Sequence, residues 1–139
     1  MEWRCLVPEL VVSDFASSLN FYTSVLGFAI NYRRTEPGFA YLEFESSQIM
    51  IEEVQPDSWV LDELRRPFGR GMNLMIECRD VAALRAQVAA HGVAVYRDVD
   101  DAWYEAGDLE IGVRQFIVAD PDGYLLRFAQ PLGRRVRAA

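Results

Sequence analysis

The chain has one histidine and two cysteines in 139 residues. Cys5 and Cys78 stand at no metal-like spacing and are expected to be reduced, partly buried thiols. No apolar run approaches the roughly 20 residues that a membrane helix needs. The first residues, MEWRCLVPEL, lack the basic start and apolar stretch of a signal peptide, so a cytoplasmic protein is expected. Positive charge is short as well. Against 14 basic residues stand 21 acidic ones, a formal net charge of -7. That balance argues against nonspecific nucleic-acid binding and against docking on anionic lipid, and it is compatible with a cationic small partner. There is no GxSxG, no Ser–His pair in a plausible context, and no Gly-rich phosphate loop after a strand. Catalytic residues are therefore left unassigned.

What is present is an ordinary globular composition, 51% hydrophobic and 25% charged, in a length that suits one domain or two small halves. The segment RCLVPELVVS (4–13) reads as a strand. Asp14 can cap a following helix, in which Phe15, Leu19, Tyr22 and Leu26 recur at helical spacing and Gly27 is the stop. FAINYRR is a strand, and FAYLEFES with QIMIEEV reads as a hairpin around Ser46 and Ser47. Later the pattern restarts. MNLMIECR is a strand, Asp80 a cap, VAALRAQVAAHG an amphipathic helix with Val81, Leu84 and Val88 on one face, and VAVYRDV a strand. RQFIVA and YLLRFAQ flank the Asp-Pro-Asp-Gly turn at 120–123. His91 falls at a helix end, where the dipole favours it.

Strand–Asp–helix–Gly–strand–strand–strand thus occurs twice, with about 65 residues between Asp14 and Asp80, and IEEVQP (51–56) rhymes with LRFAQP (126–131). The expected fold is α+β. Two βαβββ repeats carry helices on the outer faces of curved mixed sheets that enclose a cleft. The expected organisation is a first module at 1–55, a linker with a short helix at 56–70, a second module at 71–132 and a basic tail at 133–139. The segment 97–112 is expected to be a long acidic loop. It carries six acids against Arg97, with Trp103 and Tyr104 inside the run.

The patterns PELVVSDFASSLNFYTSVLGF and RQFIVADPDGYLLRFAQ resemble the vicinal oxygen chelate superfamily, which includes glyoxalase I, extradiol dioxygenases, fosfomycin-modifying enzymes and bleomycin-binding proteins. The likeness covers nearly the whole chain. It implies a divalent metal held by residues of the first and last strand of each half. Carried over residue by residue, those positions are Val7, Asn73, Arg127 and Glu52 (or Ile51). Val has no donor atom, Asn is a poor ligand and Arg is a permanent cation. The expectation is therefore no metal and no cofactor.

Strand alternation puts Leu125, Arg127 and Ala129 on one face. If the family's ligand positions face the cleft, it is lined by Val7, Glu9, Met50, Glu52, Asn73, Met75 and Arg127. Trp103 and Tyr104 would stack on a planar cation from the acidic loop. Alternatively, Arg127 and Glu52 pair and serve structure. The resemblance is nearest the metal-free bleomycin-binding branch. That implies an acidic homodimer sequestering a hydrophobic or cationic small molecule, with its N-terminal strand exchanged beside Val7-Pro8. Two other readings stay open. One is a superfamily lyase, isomerase or dioxygenase-like enzyme with a degenerate or recruited metal site, with Arg127 as oxyanion partner and Glu52 as base. The other is a structural or regulatory dimer.

Overall fold

The computed structural model describes residues 1–138. The chain divides into two compact units: Met1–Met72 together with Asp120–Tyr124, and residues 73–119 together with those from Leu125 onward. Each unit is a four-stranded mixed sheet with one helical segment, so the α+β fold of two similar βαβββ halves is present.

In the first unit, β1 (Glu9–Val12) leads to α1 (Phe15–Asn20). The Asp14 carboxylate accepts from the Ser17 amide at 3.1 Å and satisfies one of the open N–H groups of the first turn. The helix then widens into a π turn at Phe21–Val25, with the Leu26 amide donating five residues back to Phe21. The wider turn brings Phe21, Tyr22, Val25 and Leu26 all into the core. Gly27, at φ 83°, ends it. Strands β2 (Ala29–Thr35), β3 (Gly38–Phe44) and β4 (Ser47–Glu53) complete a sheet in the order β1-β4-β3-β2. β1 runs parallel to β4, and Leu10, Val12, Ala40, Leu42, Ile49 and Ile51 are all buried. Alternation places these residues on one face, the one that the helix covers.

In the second unit, β5 (Asn73–Glu77) and α2 (Val81–Ala90) repeat the motif. Asp80 caps α2 through the Ala83 amide at 3.0 Å. His91 is its C-terminal cap, with Nδ1 2.9 Å from the Gln87 carbonyl. β6 (Arg97–Ala106), β7 (Leu109–Ala119) and β8 (Leu125–Val136) complete the order β5-β8-β7-β6. Val81, Leu84 and Val88 are buried, as are Ile76, Phe116, Val118, Leu126 and Phe128. Burying each such side chain fully is worth about 1.5–3 kcal/mol.

Several local expectations change. Of the segment 4–13 only Glu9–Val12 is strand. Pro8 has no N–H to give a ladder, and the residues before it are tied instead to Gln48, which accepts from the Arg4 amide and donates to the Glu2 carbonyl. The segment 56–70 contains turns and no helix. Pro56 and Pro67 break it, and Gly69 and Gly71 take positive φ. The strand read at 93–99 begins only at Arg97. The segment 97–112 is no loop. It is the β6–β7 hairpin, turning at Gly107–Asp108, and its acids have partners that local sequence does not show: Asp98 with Arg85, Asp101 with Arg114, Glu105 with Arg137 and Glu110 with Arg135. β8 runs on to Val136, so the basic end is strand for most of its length; Ala139 lies outside the described residues.

Candidate functional site

The first sheet carries a polar and aromatic row on the face away from α1. Register joins Glu9 to Met50, Met50 to Tyr41, Glu52 to Phe39, Tyr41 to Tyr32 and Phe39 to Arg34. The rings of Tyr32 and Tyr41 stack at 5.3 Å, and Trp3 meets Tyr41 edge-on at 5.1 Å. At the other end the Arg34 guanidinium lies 3.9 Å from the centroid of Phe39.

Beside Arg34 is the most unusual chemistry of this unit. Glu9 on β1 and Glu52 on β4 lie on the same face of the sheet and line the same cavity. Burial pushes the Glu9 carboxyl above its ordinary value, the Glu52 charge adds to that, and Arg34 works the other way. The two carboxyl groups line a cavity of 310 Å³ with Arg34, Gln55, Asp57, Ser58 and Trp59. Trp59 is 95% exposed. Glu53, one residue on, turns to the other face and accepts from the Gly38 amide at 2.9 Å. Sequence reading set Glu9 and Glu52 on the same surface without joining them. The parallel pairing of β1 with β4 joins them, and a strict mapping of the second half onto the first would have shown that pairing. Arg34 and Trp59 carried no sequence signal.

On the second sheet, Arg127 pairs in register with Met75 and with Ile117, and Asn73 with Leu125. Asn73, Met75 and Arg127 therefore share the face away from α2. Asn73 and Met75 are exposed. Arg127 is half-buried, and its Nε is shielded from solvent with no hydrogen-bond partner among the described residues. Tyr104 belongs to this face, and its hydroxyl accepts from Gln115 Nε2 at 2.7 Å. Trp103 does not. Its ring covers Gly112 on the opposite face and carries the Arg135 guanidinium at 4.0 Å, with Arg135 paired to Glu110. The two aromatics expected to act as a pair are split by strand alternation.

The donors at the positions where the superfamily carries a metal do not fit one. Asn73 is a poor ligand, Arg127 is a permanent cation paired in register with Met75, Val7 offers no donor, and Glu52 alone is a carboxylate. Among the described residues no group of three or more His, Cys, Asp or Glu is arranged to hold a metal ion.

The Asp-Pro-Asp-Gly-Tyr segment serves structure. Asp120 accepts from Tyr22 Oη at 2.8 Å and from the amides of Asp122 and Tyr124. Burial raises its carboxyl above the ordinary value. Asp122 accepts from the amide and hydroxyl of Ser13 and from Arg66. Tyr124 donates to the Val11 carbonyl at 2.9 Å, and its phenol is pushed up to about 12, first by burial and then by the two aspartates.

Residues 5–128 match the family model described as Glyoxalase/Bleomycin resistance protein/Dioxygenase superfamily. The chain belongs to this superfamily. Over 135 residues it is 26% identical to a bleomycin resistance protein of Geobacillus stearothermophilus and to one of Staphylococcus aureus, covering 91% of this chain and 96% of each relative. TioX from Micromonospora sp. ML1 superposes with a TM-score of 0.69 at 21% identity, covering 91% of this chain and 98% of that one. TnmS3, an antibiotic binding protein from Streptomyces sp. CB03234, superposes with a TM-score of 0.59 at 22% identity, covering 90% and 93%. At these identities the two solved structures bear on fold alone. No helix among the described residues is long and apolar enough to cross a membrane.

Proposed function

We propose that this bleomycin resistance-type member binds a bulky cationic or hydrophobic small molecule, antibiotic-like in chemistry, without a metal, and acts by sequestering it in the cytoplasm. The observation that carries the reading is the Glu9–Glu52 pair. Two carboxyl groups that line one cavity with an open indole, one of them raised first by burial and then by the other's charge, form a place where a ligand cation can sit between the carboxylates and stack on Trp59. A homodimer is part of the proposal, and it is supported by large apolar side chains left in solvent, Leu6 at 84% and Leu61 at 108% exposure.

The test is titration with bleomycin, followed by tryptophan fluorescence in buffer with a chelator. Saturable binding with the drug recovered unchanged is the expected result. Trp59→Phe should remove most of the signal, and Glu52→Gln should weaken binding more than tenfold. Binding that a chelator abolishes contradicts the metal-free reading. A flat titration with bleomycin and with other cationic aromatic drugs contradicts sequestration. One observation favours a second reading: a carboxyl raised by burial and by a neighbouring acid suits general acid–base work, so Glu9 would be the base of a superfamily isomerase or lyase. Turnover that Glu9→Gln abolishes is the result that would establish it.

A further inference from the structure

A second cavity, of 180 Å³, lies wholly within the second unit and is lined by Arg97, Asp98, Asp100, Ala102, Tyr104, Gln115, Phe116 and Ile117. Its floor is the face that carries Arg127, since Ile117 is the register partner of Arg127 and also of Arg97. Asp100 stands directly across the ladder from Gln115. Asp98 is occupied by Arg85 through contacts of 2.9 and 3.3 Å. Asp100 and Arg97 have no ion-pair partner among the described residues. A β-bulge between them aims both into the same hollow.

The Gln115 amide is half satisfied. Nε2 donates to Tyr104 Oη, while Oε1 is shielded from solvent and has no donor among the described residues. Turning the amide over leaves the other end without a partner instead. A buried polar atom left without a partner is destabilising, and a ligand group that reaches it relieves part of that penalty.

We infer that this hollow is a binding site for a small zwitterion, an ammonium next to a carboxylate, either as a free α-amino acid or as the amino-acid-like end of a larger molecule. The ammonium has three N–H donors, and the site offers the Asp100 carboxylate, Gln115 Oε1 and the Tyr104 hydroxyl as acceptors. The carboxylate falls to Arg97, whose planar fork suits it. Size agrees. At about 30 Å³ of liquid volume per water, the cavity has room for roughly six waters, which admits a small free amino acid such as alanine and is far below a whole glycopeptide. A single charge of either sign would leave Arg97 or Asp100 facing it unpaired. This hollow lies on the second sheet alone and is independent of the Glu9–Glu52 cavity.

The test uses the intact protein and three probes of similar size: L-alanine, n-propylamine and propionate. Two-dimensional amide NMR follows the Gln115 side-chain NH₂ signals, assigned by their loss in Gln115→Leu. L-alanine should shift these signals and those of Tyr104 saturably. Asp100→Asn and Arg97→Gln should each weaken that response more than tenfold while leaving the remaining spectrum, and hence the fold, unchanged. Propylamine and propionate should bind at least tenfold more weakly than alanine. Absence of any shift up to the solubility limit of alanine overturns the site. Equal responses to alanine and propylamine overturn the zwitterion assignment, as does an Arg97→Gln protein that binds alanine normally. Bleomycin binding by the first sheet is read separately through Trp59, so either result stands without the other.

Discussion

Glu9 sets the sharpest expectation at the level of a single residue. Its carboxyl is raised by burial and by Glu52. The folded protein therefore holds the proton to higher pH than the unfolded chain does. Between the ordinary value of 4.5 and the raised one, the native state binds more protons, so stability falls as pH rises through that window. Urea unfolding midpoints measured across the window should fall more steeply for the wild type than for Glu9→Gln, which carries no titrating group there. Parallel curves would show that Glu9 holds its proton no more tightly in the folded protein than in the unfolded chain. The same proton opposes a ligand cation, so affinity for bleomycin should increase as pH rises and Glu9 ionises. Nothing local marks Glu9 or Glu52 in the sequence. Each stands alone on its own strand, and only the parallel β1–β4 ladder makes them a pair. Arg127 was legible as an anomaly because a charge stands between Leu126 and Phe128, and its strand face was legible from alternation. That its Nε is buried without a partner was not.

At the level of elements, the tight Asp120–Tyr124 turn gives a direct comparison of backbone strain with steric overlap. Gly123 has φ 96°, and a Cβ there would lie 2.6 Å from Pro67 Cβ and 2.9 Å from Pro67 Cα. Gly71 has φ 82° with nothing within 4 Å. Gly71→Ala should cost about 1 kcal/mol of unfolding free energy. Gly123→Ala carries the same strain plus a clash with backbone, and should cost about 2–4 kcal/mol; equal losses in urea titrations would mean that Pro67 yields freely. Caps, helices and both hairpins of the repeat could be read from sequence because their signals are local: Asp14 and Asp80, Gly27 and Gly92, and the alternation of FAYLEFES and QIMIEEV. The β6–β7 hairpin could not. Its acids suggested solvent, while the arginines that neutralise them come from α2, β7, β8 and the residue after it. Trp103 and Tyr104 appeared adjacent in sequence and are separated by the period of two that the strand imposes.

For the whole molecule, the excess of acids and the exposed Leu6, Trp59 and Leu61 bear on assembly. Sedimentation at micromolar concentration should give a dimer, and Leu61→Glu should shift it toward monomer without loss of helix or strand content; a wild-type monomer under these conditions contradicts the shared-surface proposal. The two-fold repeat made the architecture readable from sequence before any contact was known. It also suggests two sequential modules, and here the repeat misleads. The first unit takes Asp120–Tyr124 from far along the chain: Ser13 needs Asp122 across 109 residues, and the Val11 carbonyl needs Tyr124 across 113. A chain emerging from the ribosome can form α1 and the β3–β4 hairpin early, but Ser13, Tyr22 and Arg66 wait for nearly the whole polypeptide before they meet their partners. Such closure of a long loop slows folding, so the amino-terminal half is born incomplete, and its last side-chain bonds form only after most of the other half has been synthesised.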